Sequence, residues 1–351
     1  MTPSTMLLVL STLVAAAAPQ DHSTRTSGGP TLRPLWERQL GVARGASLRT
    51  CRAVGPRVLV VDAAGGVTAL DPASGAIQWF VQAPGPVTAF LPSDGGAIAT
   101  ASGTDVLAID GATGRRVFQV QSASAPAYSP CSDGRLLYVP ALLGDMLVAW
   151  DMSTGTRAWE CHMPAHFAGP ATVTGSQGTG SVLVPTADGL LRAVPAQLGV
   201  PERERWTQRV GTILGAPLVV GQLILVASSD RAVIALDAPS GVVKWKHFTG
   251  APVRSPPVVV GERVVVRTSE SLVALDLATG ASAWEQPESA LPLGEVGGEL
   301  LVRAPRGGCE WREIATGRLI TGGLPAGSIA ASGMLVELSS GAIAGWKRSE
   351  H

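Results

Sequence analysis

Short apolar runs alternate with turns rich in Gly, Asp and Ser over most of the chain. Residues 218–246 show this pattern most clearly: the apolar runs Leu218–Val220, Leu223–Ala227 and Ala232–Leu236 and the alternating segment Val242–Lys246 are separated by short polar segments. Gly, Asp and Ser suit tight turns because they accept left-handed geometry or bond to the local backbone. The pattern therefore predicts an antiparallel meander of four strands.

The meander is repeated along the chain with a period near 40 residues, and each copy carries the pattern Ala-x-Asp-x-x-Ser/Thr-Gly-x-x-x-Trp or a recognisable remnant of it. The copies are Ala69–Trp79, Ala108–Phe118, Ala149–Trp159, Ala235–Trp245, Ala274–Trp284 and the worn Trp311–Thr321. A further worn copy runs from Ala193 to Trp206, with Pro195 in the Asp position. Repeats of this length indicate one supersecondary unit stacked many times.

The incomplete copies at the two ends of the chain are complementary. The last copy, Ala342–Lys347, lacks its fourth strand. Leu35–Leu40 looks like a fourth strand with its Trp, but the first three strands of a copy do not precede it. A ring closed by the N-terminal strand accounts for both and removes open ends. The sequence thus predicts an all-β, eight-bladed β-propeller of four-stranded antiparallel blades over residues 31–348, with seven blades as the alternative because several copies are worn.

Each motif residue has a structural explanation. The Asp can accept backbone N–H groups, the Ser or Thr three residues later can add a hydroxyl bond, and the Gly supplies a positive φ. The Trp is expected to pack against the neighbouring unit. The predicted structural residues are Trp36, Asp71, Gly75, Trp79, Asp110, Gly114, Phe118, Asp151, Gly155, Trp159, Trp206, Asp237, Gly241, Trp245, Asp276, Gly280 and Trp284.

The N-terminal segment indicates export. Met6–Ala18 is an apolar run that suits a signal peptide and is too short to span a bilayer, although no Lys or Arg precedes it. We expect a signal peptide over residues 1–18, a disordered lead-in over 19–30, no membrane span elsewhere, and a periplasmic or secreted location. No lipid-attachment cysteine follows the run closely, since Cys51 lies too far along the chain.

Composition excludes several classes of function. The formal net charge is zero, so the chain lacks the basic surplus that is typical of nucleic-acid binding. The four cysteines (Cys51, Cys131, Cys161, Cys309) have no Cys-x-x-Cys spacing. Export would permit a disulfide, but the sequence leaves three pairings open.

The repeat resembles the pyrroloquinoline-quinone-like propeller repeat. Ser255–Gly261, the second strand after it, Ala274–Gly280 and Trp284 are similar to that repeat throughout. The resemblance has two branches, the quinoprotein alcohol dehydrogenases and non-catalytic propellers of the BamB type, which assist outer-membrane protein assembly. The length of the chain and its eight-blade layout are closer to the second.

The first branch implies a calcium ion held by Glu, Asn and Asp against the cofactor, with adjacent cysteines beneath it. This chain contains no Asn and no Cys-Cys pair, and turns account for nearly all of its Asp residues. We therefore predict no catalytic, cofactor-binding or metal-binding residues.

Other candidate sites have simpler explanations. Cys161–Met163 with His166 has too few metal ligands and is interpreted as a solvated loop. The Gly-rich Gly175–Gly180 lacks the Lys of a phosphate loop. Pro201–Arg205 is predicted to be an inserted loop of mixed charge, either solvated or in contact with a partner. The predicted channel-lining segments are small and Pro-rich, with only Arg254, His166 and Glu295 as nearby ionisable residues.

These observations predict a non-catalytic, exported scaffold that binds a protein partner through loops on one face of a monomeric ring. A BamB-like role in outer-membrane protein assembly is the most specific form of this hypothesis. The alternatives are a degenerate quinoprotein or small-ligand-binding propeller, and an extracytoplasmic sensor or interaction domain.

Overall fold

The computed structural model describes residues 32–40, 48–54, 56–87, 89–92, 97–122, 124–176, 178–197, 205–213, 215–324, 328–331, 334–338 and 342–348. The predicted signal peptide, the lead-in and most of the predicted loop Pro201–Arg205 lie outside these residues.

The residues that the structure describes are all-β apart from one short 3-10 turn, Leu143–Asp145. The strands of the first half are β1 Leu32–Gln39, β2 Leu48–Val54, β3 Arg57–Asp62, β4 Gly66–Leu70, β5 Ile77–Gln82, β6 Ala89–Pro92, β7 Ala97–Ser102, β8 Asp105–Asp110, β9 Arg116–Gln121, β10 Cys131–Ser132, β11 Leu136–Ala141, β12 Met146–Asp151, β13 Arg157–His162, β14 Thr172–Thr174, β15 Ser181–Pro185, β16 Leu190–Pro195 and β17 Trp206–Arg209.

The strands of the second half are β18 Leu218–Val220, β19 Leu223–Ser228, β20 Ala232–Asp237, β21 Val243–Phe248, β22 Val258–Val260, β23 Arg263–Arg267, β24 Leu272–Asp276, β25 Ser282–Gln286, β26 Leu291–Val296, β27 Glu299–Arg303, β28 Cys309–Arg312, β29 Leu319–Leu324, β30 Ser328–Ala331, β31 Met334–Leu338 and β32 Ala342–Arg348. The four strands predicted over residues 218–246 are present as β18–β21, each within two residues of its expected bounds.

The described strands pair into eight four-stranded sheets. Sheets 1 to 7 take four consecutive strands each, from β2–β5 to β26–β29, and sheet 8 has the order β1-β32-β31-β30. All pairings are antiparallel. Every sheet except sheet 2 has described side chains in at least three strands. The predicted all-β class and four-stranded antiparallel unit are confirmed.

The first strand lies innermost in sheets 1 and 3 to 7, and β30 lies innermost in sheet 8, where β1 is the outer strand. Contacts between first strands join β10 to β14, β14 to β18, β22 to β26 and β26 to β30, and β30 also contacts β2 of the first sheet. The N-terminal strand β1 pairs with β32, with Trp36 opposite Gly345. The two ends of the chain therefore meet in sheet 8, which lies between sheets 7 and 1.

The core fills the spaces between successive sheets. The middle strands are almost wholly buried: Val264, Val265 and Val266 of β23 are all 0% exposed. The outer strands alternate instead, as in β21, where Trp245 is buried between the exposed Lys244 and Lys246. This period-two pattern is expected of a strand with one face on the core and one in solvent.

All four cysteines lie within the described residues, and no disulfide joins them. Burial raises the pKa of the Cys51 thiol to about 12, so the thiol is protonated and unreactive at neutral pH. Within the described ranges, no helix has the length and apolar character needed to cross a membrane.

Candidate functional site

The recurring Asp organises a closed turn between the third and fourth strands of its sheet. In sheet 6, Oδ1 of Asp276 accepts the backbone N–H groups of Ala278 (3.2 Å) and Thr279 (3.0 Å) and the Thr279 hydroxyl (2.8 Å). The Gly280 N–H donates to the Asp276 carbonyl at 2.8 Å, with Gly280 at φ 70°. The carboxylate thus holds the turn, as expected of an Asx turn.

Four other turns, at Asp71, Asp110, Asp151 and Asp237, share this arrangement, and at Glu313 the carboxylate accepts the Thr316 hydroxyl. At Asp151 the bonding hydroxyl belongs to Ser153, two residues later, rather than to the expected Thr154. Donated hydrogen bonds lower the pKa of each carboxyl group. The main cause is the Thr279 hydroxyl for Asp276 and the Thr113 backbone N–H for Asp110.

The recurring Trp connects one sheet to the next. Trp245 of sheet 5 lies on the turn of sheet 6, and its indole N–H donates to the Leu277 carbonyl at 3.1 Å. A Cβ at Gly280 would lie 2.4 Å from Cε3 of Trp245. The same contact joins Trp36 to Gly75, Trp79 to Gly114, Phe118 to Gly155, Trp206 to Gly241 and Trp284 to Gly317.

The motif Gly therefore has a second role that sequence reasoning missed. The positive φ was expected, but the close approach of the aromatic ring from the previous sheet was not. The signal was present in the constant pairing of a Gly in one copy with an aromatic residue in the copy before it.

The boundary between sheets 3 and 4 differs because Pro195 replaces the Asp of sheet 4. Trp159 is buried, and within the described part of the chain its indole N–H has no partner. Tyr138 of sheet 3 instead donates to Asp133 (2.8 Å) and approaches the Ala196 carbonyl (3.3 Å). Ala196 is the residue that follows the Asp position. In other sheets the carbonyl of the equivalent residue accepts the Trp N–H, whereas here Tyr138 contacts it.

The motif carboxylates lie in separate turns, each bonded to its own turn. Among the residues that the structure describes, no three His, Cys, Asp or Glu side chains come together in a group that could hold a metal ion. His166 is 85% exposed, and its Nδ1 lies 2.7 Å from Oδ2 of Asp145. Within the Gly175–Gly180 segment, the Thr179 N–H and hydroxyl both donate to the Ser176 carbonyl.

The small residues of the innermost segments are explained by crowding near the centre. A Cβ at Gly215 would lie 2.5 Å from Cγ of Pro256 in the next sheet. Thr172 of β14 donates to the Pro217 carbonyl at 2.9 Å, again between neighbouring sheets. These segments therefore pack against each other.

A short turn in sheet 3 is the most exposed apolar feature among the described residues. Leu142 and Leu143, between β11 and β12, are 61% and 72% exposed. The turn is nevertheless well fixed: the Leu142 N–H donates to the Ala125 carbonyl (3.0 Å), and the Leu143 N–H donates to Oγ of Ser124 (3.1 Å).

The other end of the same turn is fixed at Asp145. Its carbonyl accepts the Met163 N–H at 2.8 Å, and its carboxylate contacts His166. We call Leu142–Asp145 the sheet 3 turn. Its contacts come from the connections on both sides of sheet 3, so the two leucines are presented to solvent on a rigid support.

Antiparallel sheets joined in sequence around a centre, with the first strand innermost, define a β-propeller. Solved structures support this class. BamB from Moraxella catarrhalis has a TM-score of 0.70 at 17% identity, covering 90% of this chain and 99% of that one. The WD40 domain of Sif2 has a TM-score of 0.69 at 12% identity, covering 91% and 99%. At these identities the likeness shows the fold alone.

Sequence comparison is more specific. The family model described as outer membrane protein assembly factor BamB matches residues 29–139 and 144–307, and the chain belongs to this family. The BamB protein of Burkholderia pseudomallei is 31% identical over 162 residues, a match that covers 46% of this chain and 39% of that protein.

Proposed function

We propose that this protein is an exported, non-catalytic scaffold that supports outer-membrane protein assembly by binding a protein partner. Family membership supports the assembly role, because the matching family and the Burkholderia relative are both described as outer membrane protein assembly factors. The partner-binding part of the proposal depends on the sheet 3 turn, where two exposed leucines are held on a rigid support.

The scaffold in this proposal is one closed ring of eight blades. Two contacts support closure: β30 of sheet 8 touches β2 of sheet 1, and Trp36 of β1 lies on Gly75 in the turn of sheet 1. Rigid rings of this kind suit binding because they fix the loops that contact a partner.

The partner surface of the proposal is the face that carries the turns between second and third strands. The sheet 3 turn belongs to that face, together with the adjoining connections that hold it. Exposed leucines on a fixed turn can be buried by a partner with little loss of conformational entropy. A protein with an apolar docking surface is therefore the expected partner class.

The non-catalytic part of the proposal is supported by the hydrogen bonds that the motif carboxylates accept. Each motif Asp is bonded to its own turn, so the repeated acidic residues are explained by folding alone. A periplasmic or secreted location is proposed from the apolar run Met6–Ala18 and from the family.

The experiment is in vivo crosslinking of the tagged full-length chain, followed by identification of recovered proteins. We expect the wild type to recover components of the outer-membrane assembly machinery, and Leu143→Glu to lose them. A charge at this position would have to be desolvated in the interface.

Val242→Glu is the matched control, because Val242 is also exposed (59%) but lies at the turn between the third and fourth strands of sheet 5. It should recover the same proteins as the wild type. Failure to recover any assembly component, or equal recovery by the two variants, would contradict the proposal.

A further inference from the structure

The outer strand of sheet 1, β5, is an edge strand whose own side chains are all uncharged. Its sequence, Ile77–Gln82, contains no charged residue, no Gly and no Pro, and it ends the strand order of its sheet. Ile77 and Phe80 are 48% and 55% exposed. An uncharged edge strand rich in apolar residues favours pairing with another strand.

Other outer strands carry charges that discourage pairing. Examples are Arg157 and Glu160 in β13, Lys244 and Lys246 in β21, and Glu285 in β25. Strand β29 is also uncharged, but it contains Gly322 and Gly323, which weaken a strand. Strand β5 therefore differs from these strands in being both uncharged and free of glycine.

The backbone of β5 offers hydrogen-bonding groups on its free side. The Ala83 N–H donates to the Gly65 carbonyl at 2.9 Å, so the alternate residues Phe80 and Gln82 direct their backbone groups away from β4. The Gln82 carbonyl accordingly accepts a bond from Arg116 of sheet 2 at 2.6 Å. Phe80 therefore lies at the part of the edge where a new strand could pair.

The exposed side chains of β5 are symmetric about Phe80. Gln78 and Gln82 lie two residues before and after it, and all three side chains are exposed. A two-fold axis through Phe80 would place Phe80 opposite Phe80 and Gln78 opposite Gln82 of a second copy. The Gln82 amide nitrogen already donates to the Ala64 carbonyl at 2.8 Å, which leaves its oxygen to accept from Gln78 of the other copy.

We propose that β5 pairs antiparallel with β5 of a second copy of this chain, about a two-fold axis through Phe80. Self-pairing is favoured over a different partner because the strand is self-complementary and brings no like charges together. The inference replaces the monomeric ring expected from the sequence. A contact through one short strand is small, so the dimer is weak and depends on concentration.

Sedimentation equilibrium of the purified full-length chain over a wide range of concentration tests the proposal. We expect a reversible monomer–dimer equilibrium, weakened about tenfold or more by Phe80→Lys, because two like charges would then face each other on the axis. Phe248→Lys is the matched control, since Phe248 is 68% exposed in the outer strand β21, and should leave the equilibrium unchanged. A monomer at every concentration, or an equal effect of both variants, would overturn the proposal.

Disulfide trapping tests the register. Facing residues of a hydrogen-bonded antiparallel pair have Cα atoms about 5.5 Å apart, within reach of a disulfide. In a Cys161→Ser background, Phe80→Cys should form a covalent dimer on oxidation, whereas Gln78→Cys should not, because its own copy lies several residues away. Equal crosslinking of both variants, or of neither, would contradict the two-fold axis. The assembly role could fail while this equilibrium persists, since the two experiments use different surfaces and readouts.

Discussion

At the residue scale, the motif Gly is constrained by two independent requirements. Gly280 adopts φ 70°, which costs any L side chain energy, and it also lies directly beneath the ring of Trp245. Gly250 meets only the first requirement: its φ is 72°, but a Cβ added there would have no atom within 4 Å. The pair allows the aromatic contact to be measured apart from the backbone strain.

We predict that Gly280→Ala destabilises the protein more than Gly250→Ala. Gly250→Ala should cost about 1–2 kcal/mol from backbone strain alone. Gly280→Ala should add about 1–3 kcal/mol, because the new methyl group overpacks against Trp245. The free energy of unfolding in urea measures both. Equal losses would show that Trp245 can move away at no cost.

The motif carboxylates also predict how stability changes with pH. Hydrogen bonds, chiefly from the Thr279 hydroxyl, lower the pKa of Asp276 below its ordinary value of 3.8. A carboxyl group with a lowered pKa in the folded state stabilises the protein above its unfolded pKa. This contribution is lost as the pH falls through the folded pKa.

Asp276→Asn should therefore reduce the loss of stability on acidification. The wild type loses the contribution of the charged Asp276 as the pH falls from about 5 to 2, whereas the Asn side chain does not titrate. Urea unfolding at several pH values gives the two slopes. Parallel curves for the two proteins over this range would contradict the assignment.

At the element scale, the boundary between sheets 3 and 4 shows how other hydrogen bonds replace those of a degenerate repeat. Asp133 is buried and accepts the Tyr138 hydroxyl, and it also accepts the Gly178 N–H of sheet 4 at 2.8 Å. These bonds connect the two sheets where the usual Asp turn and the indole bond of Trp159 are missing.

Tyr138→Phe should weaken this connection. We expect a loss of about 1–3 kcal/mol, because the buried Asp133 loses a hydrogen-bond donor and the Ala196 carbonyl loses its contact with the same hydroxyl. Hydrogen exchange should increase around Gly178 and Ala196. Tyr128→Phe is the control, as the other Tyr of the chain, and should leave exchange there unchanged. If the two variants were equally stable, the hydroxyl would have no connecting role.

The sequence predicted the elements better than the contacts between them. Strand positions and Asp turns are local features, so their signals lie within a few residues, as in Asp276–Gly280. The contact of Trp245 with Gly280 and that of Tyr138 with Ala196 depend on how neighbouring sheets are placed. The exposed leucines of the sheet 3 turn were missed for another reason: in sequence, Leu142 and Leu143 continue the apolar run of β11.

At the scale of the whole molecule, both ends of the chain meet in sheet 8. Trp36 of β1 packs with Val58 and Leu70 of sheet 1 and with Ile343 of sheet 8. Its indole N–H donates to the Pro72 carbonyl at 2.7 Å. One side chain near the start of the described residues therefore contacts the first and the last sheets together.

Trp36→Ala should open this junction specifically. We expect a loss of about 3–5 kcal/mol, the usual cost of removing a buried Trp, with faster hydrogen exchange in β32 and in the turn at Asp71–Gly75. Trp245→Ala removes an equivalent side chain between sheets 5 and 6 and should cost a similar free energy without faster exchange in β32. If β32 exchanged at the wild-type rate in Trp36→Ala, the N-terminal strand would not be what holds the ends of the chain together.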